Sequence, residues 1–197
     1  MGNQIKPKSK SVTFEEAFLP HLDAAYNLAR WLTRNDHDAE DVVQEAYLRA
    51  LKFFGTFRGS KGRPWFLTIV RNTCYSWLKR NRSPELLYEV NETLYLRESE
   101  MSDPESSLLR STQNQLIAEA IENLPVEFRE VIVLRELEEL SYKEIAAVAG
   151  IPVGTVMSRL ARARKKLRGS IPEEQLFGKT TRSTYLAASN GRAEVLS

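Results

Sequence analysis

The residues of this chain best equipped for chemistry are its cations. Between positions 154 and 168 the sequence carries Arg159, Arg162, Arg164, Lys165, Lys166 and Arg168 with no acid among them. A guanidinium pairs bidentately with a guanine edge, and lysines and further arginines suit phosphates, so the chemistry on offer is non-covalent recognition of a polyanion. A second set interleaves cations with rings: Phe57, Arg58, Lys61 and Arg63, then Trp65, Phe66, Arg71, Tyr75, Trp77, Lys79, Arg80 and Arg82. Cations track a phosphate backbone while rings stack on exposed bases, a combination suited to single-stranded nucleic acid. The same stretch also reads as a core helix with basic flanks, and on its own it does not separate the two.

Residues for bond-making chemistry are not assembled. Two histidines, His21 and His37, and one cysteine, Cys74, stand at scattered positions and give no metal constellation. There is neither a nucleotide-binding glycine loop nor a nucleophile elbow. Asp36, Asp38 and Asp41 are clustered, as the metal-holding carboxylates of a nucleic-acid enzyme would be, but they read better as a helix start and an exposed face. No catalytic residue, no metal and no cofactor are therefore expected. One cysteine permits no intrachain disulfide, which fits a reducing cytoplasm, and Cys74 falls on an apolar helical stripe where it belongs in a core. The basic opening MGNQIKPKSK lacks the apolar core of a secretory signal, and no apolar run has the length of a membrane span.

The elements that must position these cations are helices, and the clearest pair starts at Ser141. Ser141 and Glu144 form a capping box, in which each side chain meets the other's backbone N–H. Ile145, Ala146, Val148 and Ala149 give the short helix an apolar face. Gly150 stops it in a left-handed position, and Ile151-Pro152 makes the turn. A second helix is predicted over 154–168, with Val156, Leu160, Ala163 and Leu167 recurring every three or four residues. Ala146, Gly150 and Val156 have helix-turn-helix spacing. In that motif the start of the second helix enters the major groove, which exposes Val153, Gly154, Thr155, Ser158, Arg159 and Arg162 to base edges and leaves Lys165 and Lys166 for phosphates. A solvated amphipathic helix is the bland alternative, but cap, turn and one-sided basic face agree.

The remainder is helical by the same periodicity. A helix is predicted over 13–32 with Pro20 marking a kink or break, and another over 38–54 with Ala39, Val42, Val43, Ala46, Tyr47, Ala50 and Leu51 apolar. The opposite face of the latter shows Glu40, Asp41, Gln44, Glu45 and Arg49, a pattern that by itself serves solvation as well as binding. The loop 55–63 has three glycines and three cations, and a helix over 64–81 follows it. Further helices are predicted over 109–123 and 125–137. Charge is distributed in blocks. Residues 1–83 carry 14 basic and 8 acidic side chains, residues 84–123 carry 2 and 9, and residues 124–170 carry 9 and 6. Two basic blocks flank an acidic connector, which suits two nucleic-acid-facing parts joined by a stretch that avoids the polyanion. The expected fold is all-α: two small helical domains (12–83 and 109–170) joined by an acidic linker (84–108), the second ending in the helix-turn-helix, with a tail over 171–197 to which no role is assigned.

Taken together, the chain resembles bacterial RNA polymerase sigma factors of the extracytoplasmic-function group. The resemblance spans about residues 12–170. DAEDVVQEAYLRAL (38–51) resembles the core-polymerase-binding helix, FRGSKGRPWFLTIVRNTCYSWLKRNR (57–82) the segment that melts the promoter and reads its minus-ten element, and the stretch 124–168 the domain that reads the minus-thirty-five element. It implies that Asp41, Gln44 and Glu45, with Arg49 beside them, face the clamp helices of the polymerase's largest subunit, and that the second domain lies near its flap region. It implies that Phe57, Arg58, Lys61, Arg63 and Asn72, with Tyr75 and Lys79 further along, hold an unstacked base and the single strand around it. It also implies upstream duplex reading by Thr155, Ser158, Arg159 and Arg162, control by an anti-sigma factor, a cytoplasmic location, no membrane insertion, and a stress- or signal-responsive set of genes. Met157 departs from the pattern, since many members carry a Lys there. The rival is an ordinary helix-turn-helix regulator acting without polymerase, but the sequence has neither a dimerisation seam nor a ligand-pocket signature.

Overall fold

The computed structural model describes residues 13–57, 61–81 and 110–170, with side chains from residue 116 onward in the last segment. Arg58, the acidic connector and the tail lie outside the described residues. Every described element is helical. The first, α1 (Phe14–Phe18), opens with a capping box: Thr13 Oγ1 accepts from the Glu16 N–H, and a Glu16 carboxylate oxygen accepts from the Thr13 N–H. The long helix expected over 13–32 is divided. A 3₁₀ turn, Leu19–His21, separates α1 from α2 (Leu22–Thr33). Pro20 is the cause, because it has no N–H to continue a helix but fits the first turn of a new segment. Next, α3 (Asp36–Phe53) begins two residues before its expected start. Its N-cap is Asn35, whose side chain accepts from the Asp38 N–H at 3.0 Å.

The loop after α3 leads into α4 (Gly62–Asn81). The C-terminal half comprises α5 (Arg110–Glu122), α6 (Val126–Ile132), α7 (Tyr142–Ala149) and α8 (Val153–Ser170). The helix expected over 125–137 is α6 followed by a widened π turn, Val133–Leu137, which the Glu138 N–H closes onto the Val133 carbonyl at 3.1 Å.

The two halves share one continuous core. In the N-terminal half α3 presents Ala39, Val42, Ala46 and Ala50, and these small residues let it lie close against α2 and α4, where Leu28, Leu32, Phe66, Leu67, Val70 and Cys74 are buried. Ile121, Ile132, Leu134, Ile145, Val156, Leu160 and Leu167 fill the C-terminal half. Packing of α4 on α7 and of α2 on α6 joins the two. Leu51 differs from its expected place on the apolar stripe. It is 51% exposed, and Leu48 is 60% exposed. The buried row at 39, 42, 46 and 50 fixes the inward face, and a residue one position past Ala50 is turned about 100° away from it.

An aromatic nest anchors the loop before α4. Phe18 packs against Phe54, Phe57, Trp65 and Phe66, with ring centroids 5.1–5.9 Å apart. Gly62 lies so close to α1 that an added Cβ would stand 2.7 Å from the Ala17 carbonyl oxygen. Gly62→Ala is therefore expected to cost about 1–3 kcal/mol in urea unfolding. Gly154→Ala, whose Cβ meets nothing within 4 Å, is expected to be neutral or to add about 0.4–1 kcal/mol. Cys74 is fully buried, and burial pushes its thiol well above the ordinary range. It should react with a thiol reagent only as fast as the protein unfolds, and prompt labelling of the native protein would contradict its placement.

Candidate nucleic-acid interface

The helix-turn-helix forms as its local chemistry dictates. Ser141 Oγ accepts from the Glu144 N–H at 3.3 Å, and Glu144 accepts from the Ser141 N–H at 3.0 Å. Gly150 ends α7 at φ +67°, a left-handed backbone that favours glycine, and its N–H returns to the Ala146 carbonyl. The Ile151 N–H reaches the same carbonyl at 3.1 Å, and the Pro152 carbonyl starts α8 by accepting from Thr155 and Val156. The axes of α7 and α8 meet at 100°, within the range of DNA-reading pairs.

Along α8 the expected readers are presented to solvent unequally. Val153, Gly154, Ser158, Arg162, Lys165 and Lys166 are exposed, while Thr155 and Arg159 are half-buried. Met157, at the departure from the family pattern, is 53% exposed. Arg164 does not join the outward basic face. It donates to Glu136 at 2.7 Å, and this bond outweighs burial in holding its guanidinium charged.

The second set of cations, on α4 and the loop before it, is placed differently from its sequence expectation. Phe57, expected as a ring free to stack on a base, is packed between Phe18 and Trp65 and anchors the loop instead. Lys61 donates to Glu144 at 3.1 Å, and Arg63 pairs with Glu138. Arg71 Nε donates to Glu130 at 2.7 Å and its guanidinium lies 4.0 Å from the Tyr75 ring centroid. Tyr75 Oη donates to the other Glu130 oxygen at 3.1 Å, and Arg159 of α8 approaches that oxygen to 3.9 Å. Glu130 is 0% exposed. Burial pushes its carboxyl up, against the pull of Arg71, Tyr75 and Arg159. Burial and the charge on Glu130 together push the Tyr75 phenol well above its ordinary range. Asn72, Lys79 and Arg80 remain exposed.

A third surface lies on α3. Asp41 and Gln44 are exposed and line a cleft of about 500 Å³ against α2, walled by Leu22, Tyr26, Val43 and Tyr47. Glu45 pairs with Arg49 one turn on and with Arg80 at 3.4 Å. Leu48 and Leu51, which the sequence reading did not single out as surface residues, continue the row of Asp41 and Gln44 at spacings of four and three. That spacing was the signal available for finding them.

A basic helix-turn-helix and a second basic, ring-bearing helix thus stand in one set of packed helices among the described residues. The family pattern described as sigma-70 region 2 matches residues 17–83, and that described as sigma-70, region 4 matches residues 114–167. The sigma-E factor of Haemophilus influenzae, an extracytoplasmic-function (ECF) RNA polymerase sigma factor, is 36% identical over 153 residues, spanning 73% of this chain and 79% of that protein. The Escherichia coli K12 sigma-E factor is 37% identical over 68% of this chain and 74% of its own length, and the Mycolicibacterium smegmatis factor SigE 33% identical over 79% and 60%. The sigma factor RpoE of Bartonella quintana, solved with the anti-sigma factor NepR, superposes with a TM-score of 0.60 at 29% identity, covering 79% of this chain and 94% of its own. CnrH, solved with the cytosolic domain of CnrY, follows at 0.55 and 28%, covering 79% and 85%. The chain belongs to the ECF group of RNA polymerase sigma factors. As such it directs promoter-specific initiation as a specificity subunit and is not an enzyme.

The capping box makes one pH-dependent prediction. Bonds from Ser141 and Lys61 hold the Glu144 carboxyl down at about 2, below its ordinary 4.5. A carboxylate depressed in the fold contributes stability above its unfolded pKa and loses it as pH falls through the folded value. The difference in melting temperature between the protein and Glu144→Gln should be full above about pH 4.5 and shrink toward pH 2. A difference that is flat across this window would contradict the assignment.

Proposed function

We propose that α3 is the surface through which this sigma factor joins core RNA polymerase, with Asp41, Gln44, Glu45 and Arg49 as its polar contacts and Leu48 and Leu51 as its apolar ones. The observation that carries this reading is the outward row Asp41, Gln44, Leu48, Leu51, which no described residue of the chain covers. Residues 12–83 act as the part that opens and reads the downstream element, through Lys61, Arg63, Asn72, Tyr75 and Lys79, with Arg58 and the loop anchored by Phe57. Residues 109–170 act as the part that reads the upstream duplex, through Val153, Gly154, Thr155, Ser158, Arg159 and Arg162, with Lys165 and Lys166 on phosphates and the polymerase flap region nearby.

Mounting both readers on one polymerase makes the second contact intramolecular, so neither half needs to hold DNA tightly alone. Stacking of about 1–3 kcal/mol per captured base offsets an unstacking cost of a few kcal/mol. The protein works in the cytoplasm, where polymerase and promoter are. An anti-sigma factor fits as a further partner, because RpoE and CnrH are each described in complex with a protein, NepR and the cytosolic domain of CnrY, the former named an anti-sigma factor.

Run-off transcription with purified core polymerase on upstream regions of the source genome tests the whole reading. Discrete transcripts are expected only when the protein is added. Leu48→Lys should weaken core binding by about tenfold or more, about 1.4 kcal/mol, while leaving the fold intact. Arg162→Ala should cost about 1–3 kcal/mol of upstream binding and relax preference at one base pair. Core polymerase that neither binds the protein nor gains specificity from it would return α3 to a solvated surface.

A further inference from the structure

The exposed side of α8 is not uniformly polar. Among the described residues of the C-terminal half, the large apolar side chains left exposed are Leu116, Val153 and Met157, at 45%, 38% and 53%. Val153 and Met157 stand one turn apart at the start of α8, and Ala161, exposed as well, continues their row. They take no part in the core, because Val156, Leu160, Ala163 and Leu167 supply the buried stripe of this helix. They occupy the end of the second helix that enters the major groove in a helix-turn-helix. Polar readers beside them are partly engaged within the protein. Ser158 Oγ donates to the Thr155 carbonyl at 3.0 Å, and Arg159 approaches Glu130 to 3.9 Å. In the major groove the base edges offer donors, acceptors and one apolar group, the C5-methyl of thymine.

We propose that Met157 and Val153 set part of the promoter preference of this sigma factor by packing against thymine methyl groups in the upstream element. The inference rests on the reading of α8 as the upstream reader and names the bases that this helix selects. Residues four apart are separated by about 6 Å along a helix, and base pairs rise by about 3.4 Å. The two side chains therefore reach methyls on pairs no more than about two steps apart. Met157 is unbranched and adapts to the position of its partner, whereas Val153 is stiff and demands a closer match. An exposed apolar side chain gains only where an apolar partner removes it from water. Cytosine, with no methyl at C5, gives no such gain, so the contact separates the two pyrimidines. Arg162, exposed on the adjoining row of α8, suits a guanine edge. The upstream element should thus combine guanine opposite Arg162 with thymine opposite the apolar row. Neither methyl contact involves a phosphate, so this part of the preference is independent of salt.

The test uses the holoenzyme formed from the full chain and core polymerase, on a promoter identified by run-off transcription. Each thymine of the upstream element, on either strand, is replaced in turn by deoxyuracil, which differs from it by the C5-methyl alone. Uracil should weaken binding about fourfold at one or two positions, the factor set by one buried methyl group, and leave binding unchanged at the others. Met157→Ala should abolish the uracil effect at one of these positions, and Val153→Ala at the other. Met157→Lys should also lose the thymine preference, and should steepen the salt dependence of binding by about one phosphate contact. A wild-type scan with no uracil-sensitive position overturns the proposal, and this arm stands whether or not a variant folds. A uracil effect that persists undiminished in both alanine variants also overturns it, since the methyl then acts through the shape of the duplex or through another residue. Failure of the sigma reading registers earlier, as the absence of any promoter-specific transcript before uracil is introduced, and removes the proposal with it.

Discussion

The arrangement of this molecule depends on one buried carboxylate. Glu130 has no surface in water, yet it receives Arg71 and Tyr75 from α4 and faces Arg159 from α8. A lone buried charge is too costly to persist, so the position of Glu130 is tolerable only while those partners stay in place. This sets the register between the halves more sharply than the apolar contacts around it, which are non-directional and would accept a range of sliding positions. Glu138 with Arg63 and Asn27, and Glu122 with Arg30 at 3.6 Å, repeat the arrangement at lesser depth. The halves are joined by directional pairs over an apolar base, an interface selective for one geometry.

Within the N-terminal half a different constraint rules. The two ends of the loop before α4 are held by rings. Phe57 and Trp65 pack on Phe18, and Gly62 passes against the Ala17 carbonyl where no side chain fits. The aromatic investment is thus largely structural. It frees α3 to use small residues inward, Ala39, Ala46 and Ala50, and to place larger apolar ones outward. A helix whose leucines face solvent while its alanines face the core is shaped by two demands at once: close packing with α2 and α4, and an uncovered surface for something else.

The cations differ in whether they meet a carboxylate. Arg162, Lys165 and Lys166 lie on the outward side of α8 and remain exposed, while Lys61, Arg63 and Arg71 lie where the halves meet and are paired.

Much of this was legible in the sequence because it is local. The Ser141–Glu144 box, the left-handed Gly150, the α8 stripe and the alanine row of α3 arise from interactions within four residues along the chain, where spacing alone settles which groups meet. Pro20 announced a break, though whether a kink or a new helix depended on how Phe18 and Leu22 packed. Leu51 was misread because a seven-residue pattern fits two adjacent stripes, and only the partners of α3 choose between them. The pairing of Arg71 with Glu130 lies beyond any such rule. The two are 59 residues apart, each sits among several residues of like charge, and a periodic pattern says which face a residue occupies but not what will face it. Sequence determined the helices, the turn and the family. Only the tertiary structure decided that the acids of one half close over the cations of the other, because that choice is made by burial shared between segments distant in the chain.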